Sequence, residues 1–221
     1  NSLAINDLNG DGYMDLVAGN QGLNTKFRAS AQQPLTIYAD DFDKNGSVDG
    51  ILCRFIEGKE KPIHQRDELM AQINGLEKKF PRYAMYAAAS VQEIFGKKAL
   101  AAAYKRDCRQ LESAVFINQG GKSFSPQPLP MTAQFSSIHA MVVTDANQDG
   151  IPDLVLGGNS YAAHVSIGQQ DASFGLLLLG DGQGGFIASS AAESGIFIKG
   201  AAQSLAFIND DVLLAGVNGR A

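Results

Sequence analysis

Asp7-Leu-Asn9-Gly-Asp11-Gly12-Tyr13-Met-Asp15-Leu-Val-Ala-Gly19 decides how the rest of the chain is read. Oxygen-bearing side chains stand at positions 1, 3, 5 and 9 of this stretch, a glycine stands at position 6, and an apolar run follows at once. The same grammar returns in Asp41-Phe-Asp43-Lys-Asn45-Gly46-Ser47-Val-Asp49 and in Asp145-Ala-Asn147-Gln-Asp149-Gly150-Ile151-Pro-Asp153. Each copy is preceded by a second apolar run: Leu3 to Ile5, Ile37 to Ala39 and Met141 to Val143. Runs of four to six residues rich in Val, Ile, Leu and Tyr, joined by a tight acidic loop, predict two short strands per repeat. A fourth pair, Ser204 to Ile208 and Asp211 to Gly216, keeps the runs, but its link Asn209-Asp210-Asp211 has lost the loop and is expected to hold no metal.

A hard divalent cation explains the spacing. Calcium takes six to eight oxygens at about 2.3–2.6 Å in flexible geometry, so alternate side chains of a curling loop must point inward while glycine permits the sharp turn. The expected ligands are Asp7, Asn9, Asp11 and Asp15, then Asp41, Asp43, Asn45 and Asp49, then Asp145, Asn147, Asp149 and Asp153. The position-7 carbonyls of Tyr13, Ser47 and Ile151 complete each set, for up to three Ca2+ sites. Asp, Asn and Gly also make ordinary turns, which accounts for the residue types but not for three copies of one spacing. An EF-hand shares positions 1, 3, 5 and 6 but needs a bidentate Glu at position 12 between helices. Here position 12 is Ala18, Leu52 and Leu156. Magnesium, which keeps its waters, fits an all-protein cage poorly.

A second unit, strand then Gly-rich turn then Phe, occurs at Ala114 to Phe124 and at Leu176 to Phe186. It reads as the outer hairpin of the sheet whose inner hairpin carries the acidic turn. The stretch 65–108 departs from the β pattern. Leu69, Ile73, Leu76 and Phe80 recur at helical spacing, and Pro81 suits the first turn of a new helix. Ser90-Val-Gln-Glu93 has capping-box form with Gly96 as a stop, and Ala99 to Lys105 continues as helix former. The stretch is expected to be a helical insertion between the second acidic motif and its outer hairpin at 114–124, acting as a cap over one blade or, alternatively, as a partner-docking surface.

These stretches resemble the FG-GAP/VCBS repeat, the calcium-loop blade of β-propellers. Gly157-Gly-Asn159, Asp171 to Gly175 and Leu179 to Gly184 extend the likeness to the C-terminal part of large secreted VCBS-repeat proteins of Bacteroidetes type. The resemblance implies an all-β chain, 1–221, forming a single propeller-type region of about three to four blades, a partial propeller since four to eight blades normally close one. It also implies a secreted or bacterial cell-surface protein, since extracellular modules bind calcium at about 10⁻⁴–10⁻³ M. Relatives often carry Arg where this chain has Gln169, so the Gly168 to Asp171 turn lacks the charge an anion would use.

Composition narrows the function. A net charge of −5 without a Lys/Arg cluster excludes a nucleic-acid footprint, and no apolar run reaches the roughly 18 residues of a membrane span. The 45% hydrophobic content supplies a core. The chain starts without Met or a leader and reads as a piece of something longer. Two cysteines, Cys53 and Cys108, lack metal or redox spacing; they pair only in an oxidising compartment, and Cys53 reads as a buried free thiol. His64, His139 and His164 sit in no nucleophile elbow, zinc pair or triad context. The leading expectation is therefore a non-catalytic module that binds protein or glycan, with self-association through open strand edges. The alternative is a lyase acting on acidic polysaccharide, with His164, Lys199 or Arg54 as base. Trp is absent and aromatics make up 8% of the chain, which weakens a sugar-stacking platform.

Overall fold

The computed structural model describes residues 2–161, 168–208 and 212–218. It has an all-β architecture in which, among these residues, the strands form four antiparallel sheets. The chain divides into two compact units, one made of Asn1–Lys26 with Leu111–Ala221 and the other of Phe27–Gln110.

In the first unit β1 (Leu3–Asn6) and β2 (Asp15–Ala18) form the hairpin that carries the first acidic loop. Within the second unit lie β3 (Leu35–Asp40), β4 (Asp49–Ile56), β5 (Lys59–Pro62) and β6 (Tyr104–Cys108). Back in the first unit, β7 (Ala114–Asn118) and β8 (Phe124–Pro128) complete a sheet of order β1-β2-β7-β8. Next come β9 (Ile138–Thr144), β10 (Asp153–Gly158), β11 (Leu176–Gly180) and β12 (Phe186–Ala188), a plain meander. The hairpin β13 (Ala201–Ile208) and β14 (Val212–Asn218) follows. All four repeats are thus hairpins, and both Gly-rich turns link the third and fourth strands of a sheet.

The outer hairpin at 114–128 corrects one expectation. β7 pairs with β2 in the register Leu16↔Phe116, Val17↔Val115 and Ala18↔Ala114, so it completes the sheet of the first acidic motif and not that of the second. In the second unit the sheet order is β5-β4-β3-β6, and β6 returns beside β3 rather than extending outward from β4.

One glycine per repeat explains why the sheets of the first unit pack in series. A Cβ on Gly19, at the end of β2, would lie 2.8 Å from Cγ2 of Ile138 on β9; one on Gly157 of β10 would lie 2.9 Å from Cβ of Ala202 on β13. Both glycines stand at position 13 of their motif, and each lets the next sheet approach closely. Leu8, Val17, Val115, Ile117, Ile138, Leu154, Leu156 and Leu178 fill the core that results. In the second motif position 13 is Cys53, fully buried in a different core among Ile51, Leu69, Ile73, Val91 and Ile94.

Those last residues come from short helices: α1 (Arg66–Gln72), α2 (Leu76–Lys79), α3 (Tyr83–Ala88), α4 (Val91–Phe95) and α5 (Lys97–Ala102). The helical insertion expected over 65–108 is found, but broken into pieces and shorter. The Ser90 capping box and the Gly96 stop both form. Pro81 precedes the Arg82 cap of α3 instead of lying in its first turn. Helix ends at Ala102, and Tyr104–Cys108 is strand, paired antiparallel with β3 from Leu35↔Cys108 to Ala39↔Tyr104. A last helix, α6 (Ala191–Ser194), follows β12.

Both cysteines are free thiols. Cys53 is opposite Thr36 on β3, and Thr36 is opposite Asp107 on β6, so Cys108 is one residue out of register and two strands away. Two strand spacings amount to about 10 Å, with the side chains on opposite faces, beyond the reach of a disulfide.

Candidate functional site

The three acidic loops share one backbone. Position 4 is left-handed in each (Gly10 φ 72°, Lys44 φ 60°, Gln148 φ 61°), and so is position 6 (Gly12 φ 88°, Gly46 φ 89°, Gly150 φ 82°). A left-handed Lys or Gln costs roughly 1–2 kcal/mol, so a strained conformation has been retained at two positions where the first loop uses glycine. Such strain concentrates at functional sites.

The position-1 carboxylate organises each turn. Asp7 Oδ1 accepts from the N–H groups of Gly10 (2.8 Å) and Asp11 (3.2 Å), and its Oδ2 from Gly12 (2.9 Å). Asp41 accepts from Asn45 (2.9 Å) and Gly46 (2.8 Å), and Asp145 from Asp149 (3.0 Å) and Gly150 (2.9 Å). At position 5, Asp11, Asn45 and Asp149 each accept from the N–H of position 7, at 2.8, 2.7 and 2.8 Å. These bonds turn alternate side chains to the inside of the curl.

Position 9 is different in kind. Asp15, Asp49 and Asp153 begin the outgoing strands and are buried. One oxygen of each reaches back across its loop to the N–H of Leu8 (3.0 Å), Phe42 (3.1 Å) or Ala146 (2.9 Å). The other oxygen takes an N–H from the third strand of the sheet or its edge: Asn118 for Asp15 (2.7 Å) and Gly180 for Asp153 (2.8 Å). In the second unit the strand beside β4, β5, pairs only as far as Pro62 opposite Cys53, and the side chain of Gln72 at the end of α1 donates to Asp49 at 3.2 Å. These aspartates tie a loop to its sheet.

All three loops carry three aspartates, but among the described residues only those of the second loop converge closely. One oxygen each from Asp41, Asp43 and Asp49 lie within 4.8 Å of one another, a donor set able to chelate a divalent ion. Carboxylate oxygens in a flexible loop are what calcium selects. The first and third loops carry Asn at position 3, whose amide donates to the position-5 carboxylate: Asn9 to Asp11 at 3.1 Å, and Asn147 to Asp149 at 2.8 Å. In the second loop the two residue types are exchanged, and Asn45 donates to Asp43 at 3.1 Å. Asp43 also accepts from the N–H and the side-chain amide of Asn74, at 2.9 and 2.7 Å. Donation from Asn74 is the chief cause that holds the Asp43 carboxyl below its ordinary range.

The three loops that carry the expected ligands form with one backbone geometry, and Asp41, Asp43 and Asp49 are brought together; the spacing gave no hint of Gln72 and Asn74, which reach the second loop only through tertiary folding. The link 209–211 and His164 lie outside the described residues. Among the histidines, His139 lies 2.9 Å from Ser137 Oγ through Nε2, and burial lowers its pKa. Ser137 is itself 1% exposed. Arg54 lies on β4 of the second unit, whereas Lys199 belongs to the first.

Residues 1–33 match the family model of the FG-GAP repeat. No curated protein and no solved structure matches this chain. Among the described residues no helix is long and apolar enough to cross a membrane.

Proposed function

We propose that this chain is a calcium-stabilised, non-catalytic binding module built from FG-GAP/VCBS-type propeller blades, displayed outside the cell. The observation that carries the reading is the repetition of a single left-handed loop geometry three times, with three carboxylates converging in one copy. Three like charges within 4.8 Å repel unless a cation neutralises them. The proposed ligands are the side chains at positions 1, 3, 5 and 9 of each loop with the carbonyls of Tyr13, Ser47 and Ile151. When bound, calcium supplies charge neutralisation and cross-linking of loop to strand.

The two four-stranded meanders of the first unit, each with its acidic loop between first and second strands, support a series of propeller blades. The hairpin β13–β14 has the place of the inner half of a third, with Ile208, Val212 and Leu214 exposed. An open edge of this kind favours pairing with further blades of a longer secreted protein of VCBS type, or with another copy. Beside the third loop a cleft of about 1020 Å³ combines Asp145 and Asn147 with the apolar walls of Val155, Ile187, Phe207 and Leu213. That mixture suits a protein or glycan ligand.

Calorimetric titration of chelator-treated protein with calcium, and separately with magnesium, tests the metal. The expected result is saturable calcium binding together with a melting temperature that rises in millimolar calcium. Identical melting in calcium and in chelator, with no heat of binding, refutes the reading.

A further inference from the structure

Building on the proposed calcium binding, we infer that the second loop is wired to the helices of its own unit, so that cation binding there orders the stretch 66–102. Three contacts, each absent from the other two loops among the described residues, make the connection. Phe42 at position 2 meets Phe95 of α4 with ring centroids 4.6 Å apart, and packs against the helical core. Asp43 at position 3 takes both donors of Asn74, from the link between α1 and α2. Asp49 at position 9 takes the amide of Gln72, the last residue of α1.

The other loops show what has been replaced. There the second oxygen of position 9 binds a backbone N–H at Asn118 or Gly180, a partner fixed by its own sheet. Position 2 is Leu8, buried in a sheet core, in the first loop, and Ala146 in the third. At position 9 the first and third loops are therefore tied to backbone N–H groups of their own sheets. The second loop also joins two paired strands, but its positions 3 and 9 take the side-chain amides of Asn74 and Gln72 and the Asn74 N–H, from the end of a seven-residue helix and the turn after it. Helices this short are marginal by themselves and depend on packing and end contacts. Opening α1 withdraws Gln72 and Asn74 together, releasing two of the three carboxylates from their fixed orientation. An ion that needs all three carboxylates in place binds the closed arrangement and disfavours the open one. Gln72 and Asn74 are thus positioning residues: they orient the ligating carboxylates from outside the coordination shell, as outer partners of metal ligands commonly do.

The test is hydrogen exchange, read by mass spectrometry on the full chain with calcium chloride or chelator. If opening of the helices empties the second loop, exchange in 66–102 slows by a factor of 1 + [Ca]/Kd, about elevenfold at ten times the dissociation constant. Asp41→Ala abolishes that slowing while leaving calcium binding by the other loops. The double variant Gln72→Ala/Asn74→Ala removes both side-chain amides and leaves only the backbone N–H of residue 74 on Asp43; it weakens calcium binding at the second loop by about tenfold and reduces the helical response. The inference is overturned if calcium protects 41–49 but leaves exchange of 66–102 unchanged in the wild-type chain. That measurement needs no variant to fold. It is also overturned if the double variant binds and protects as wild type does. A chain that binds no calcium in the calorimeter fails at the earlier step, and the proposed function falls with it.

Discussion

Asp153 and Asp149 belong to the same loop and are both proposed ligands, yet truncating them has different consequences. Asp153 is fully buried, and its carboxylate accepts from Ala146 N–H at 2.9 Å and from Gly180 N–H at 2.8 Å. Asp153→Ala strands both donors at the root of β10, at about 1–3 kcal/mol each. Removing the carboxylate also ends its own desolvation cost, so a net loss of about 3 kcal/mol, in the lower half of that sum, is expected. For a chain of this size the loss corresponds to roughly 6–12 °C in melting temperature. It is present in chelator, since it needs no ion. Asp149 is exposed, and its bonds go to the N–H of Ile151 and the amide of Asn147, which water replaces. Asp149→Ala should therefore melt within about 1 kcal/mol of wild type in chelator and lose part of the stabilisation by calcium. Differential scanning calorimetry of both variants, with calcium and with chelator, separates the two effects. If Asp153→Ala melts like wild type in chelator, the buried carboxylate is not the tie described above. If instead both variants respond fully to calcium, neither residue is a ligand.

Three other perturbations test separate parts of the structure. Gly157→Val should destabilise the first unit by at least about 2 kcal/mol in chemical denaturation, because even the first added carbon meets Ala202 at 2.9 Å and Leu205 at 3.3 Å; Gly46→Ala, with open space around it, should lose only the roughly 1–2 kcal/mol of a left-handed backbone. Acid should destabilise the chain: Asp43, Glu93 and Glu193 have carboxyls lowered by hydrogen bonds from Asn74 and from Ser90 and Ser190, so their contribution is complete above the unfolded value near 4 and is lost as pH falls through the lower native values. Unchanged stability between pH 5 and pH 2 would contradict this. Thiol titration of the native protein should find Cys108 reactive and Cys53 silent, because burial pushes the Cys53 thiol up and shuts out reagent; both should react in denaturant, and a native disulfide would refute the register between β4, β3 and β6.

Much of this molecule is local, and local features were legible in the amino-acid sequence. An acidic loop is set by its own residues: the position-1 carboxylate binds N–H groups three to five residues on, and position 6 requires the left-handed region. The Ser90 cap and the Gly96 stop are likewise fixed within a few residues. Which hairpins share a sheet was not local. The strand 114–118 is equally suited to either acidic motif, and only packing pairs it with β2 across more than eighty intervening residues that fold as a unit of their own. One signal of that exchange was present at position 13, Gly in the first and third motifs and Cys53 in the second, but its meaning depends on what approaches the position. The stretch 104–108 likewise turns to strand because β3 offers it an edge. The sequence by itself determined the loops, their chemistry and the strands beside them, since these depend on contacts within about ten residues. Tertiary structure decided the order of strands, the separation of the second motif into its own unit, and the placement of Gln72 and Asn74 against Asp49 and Asp43, since these contacts join segments that only a folded core brings together.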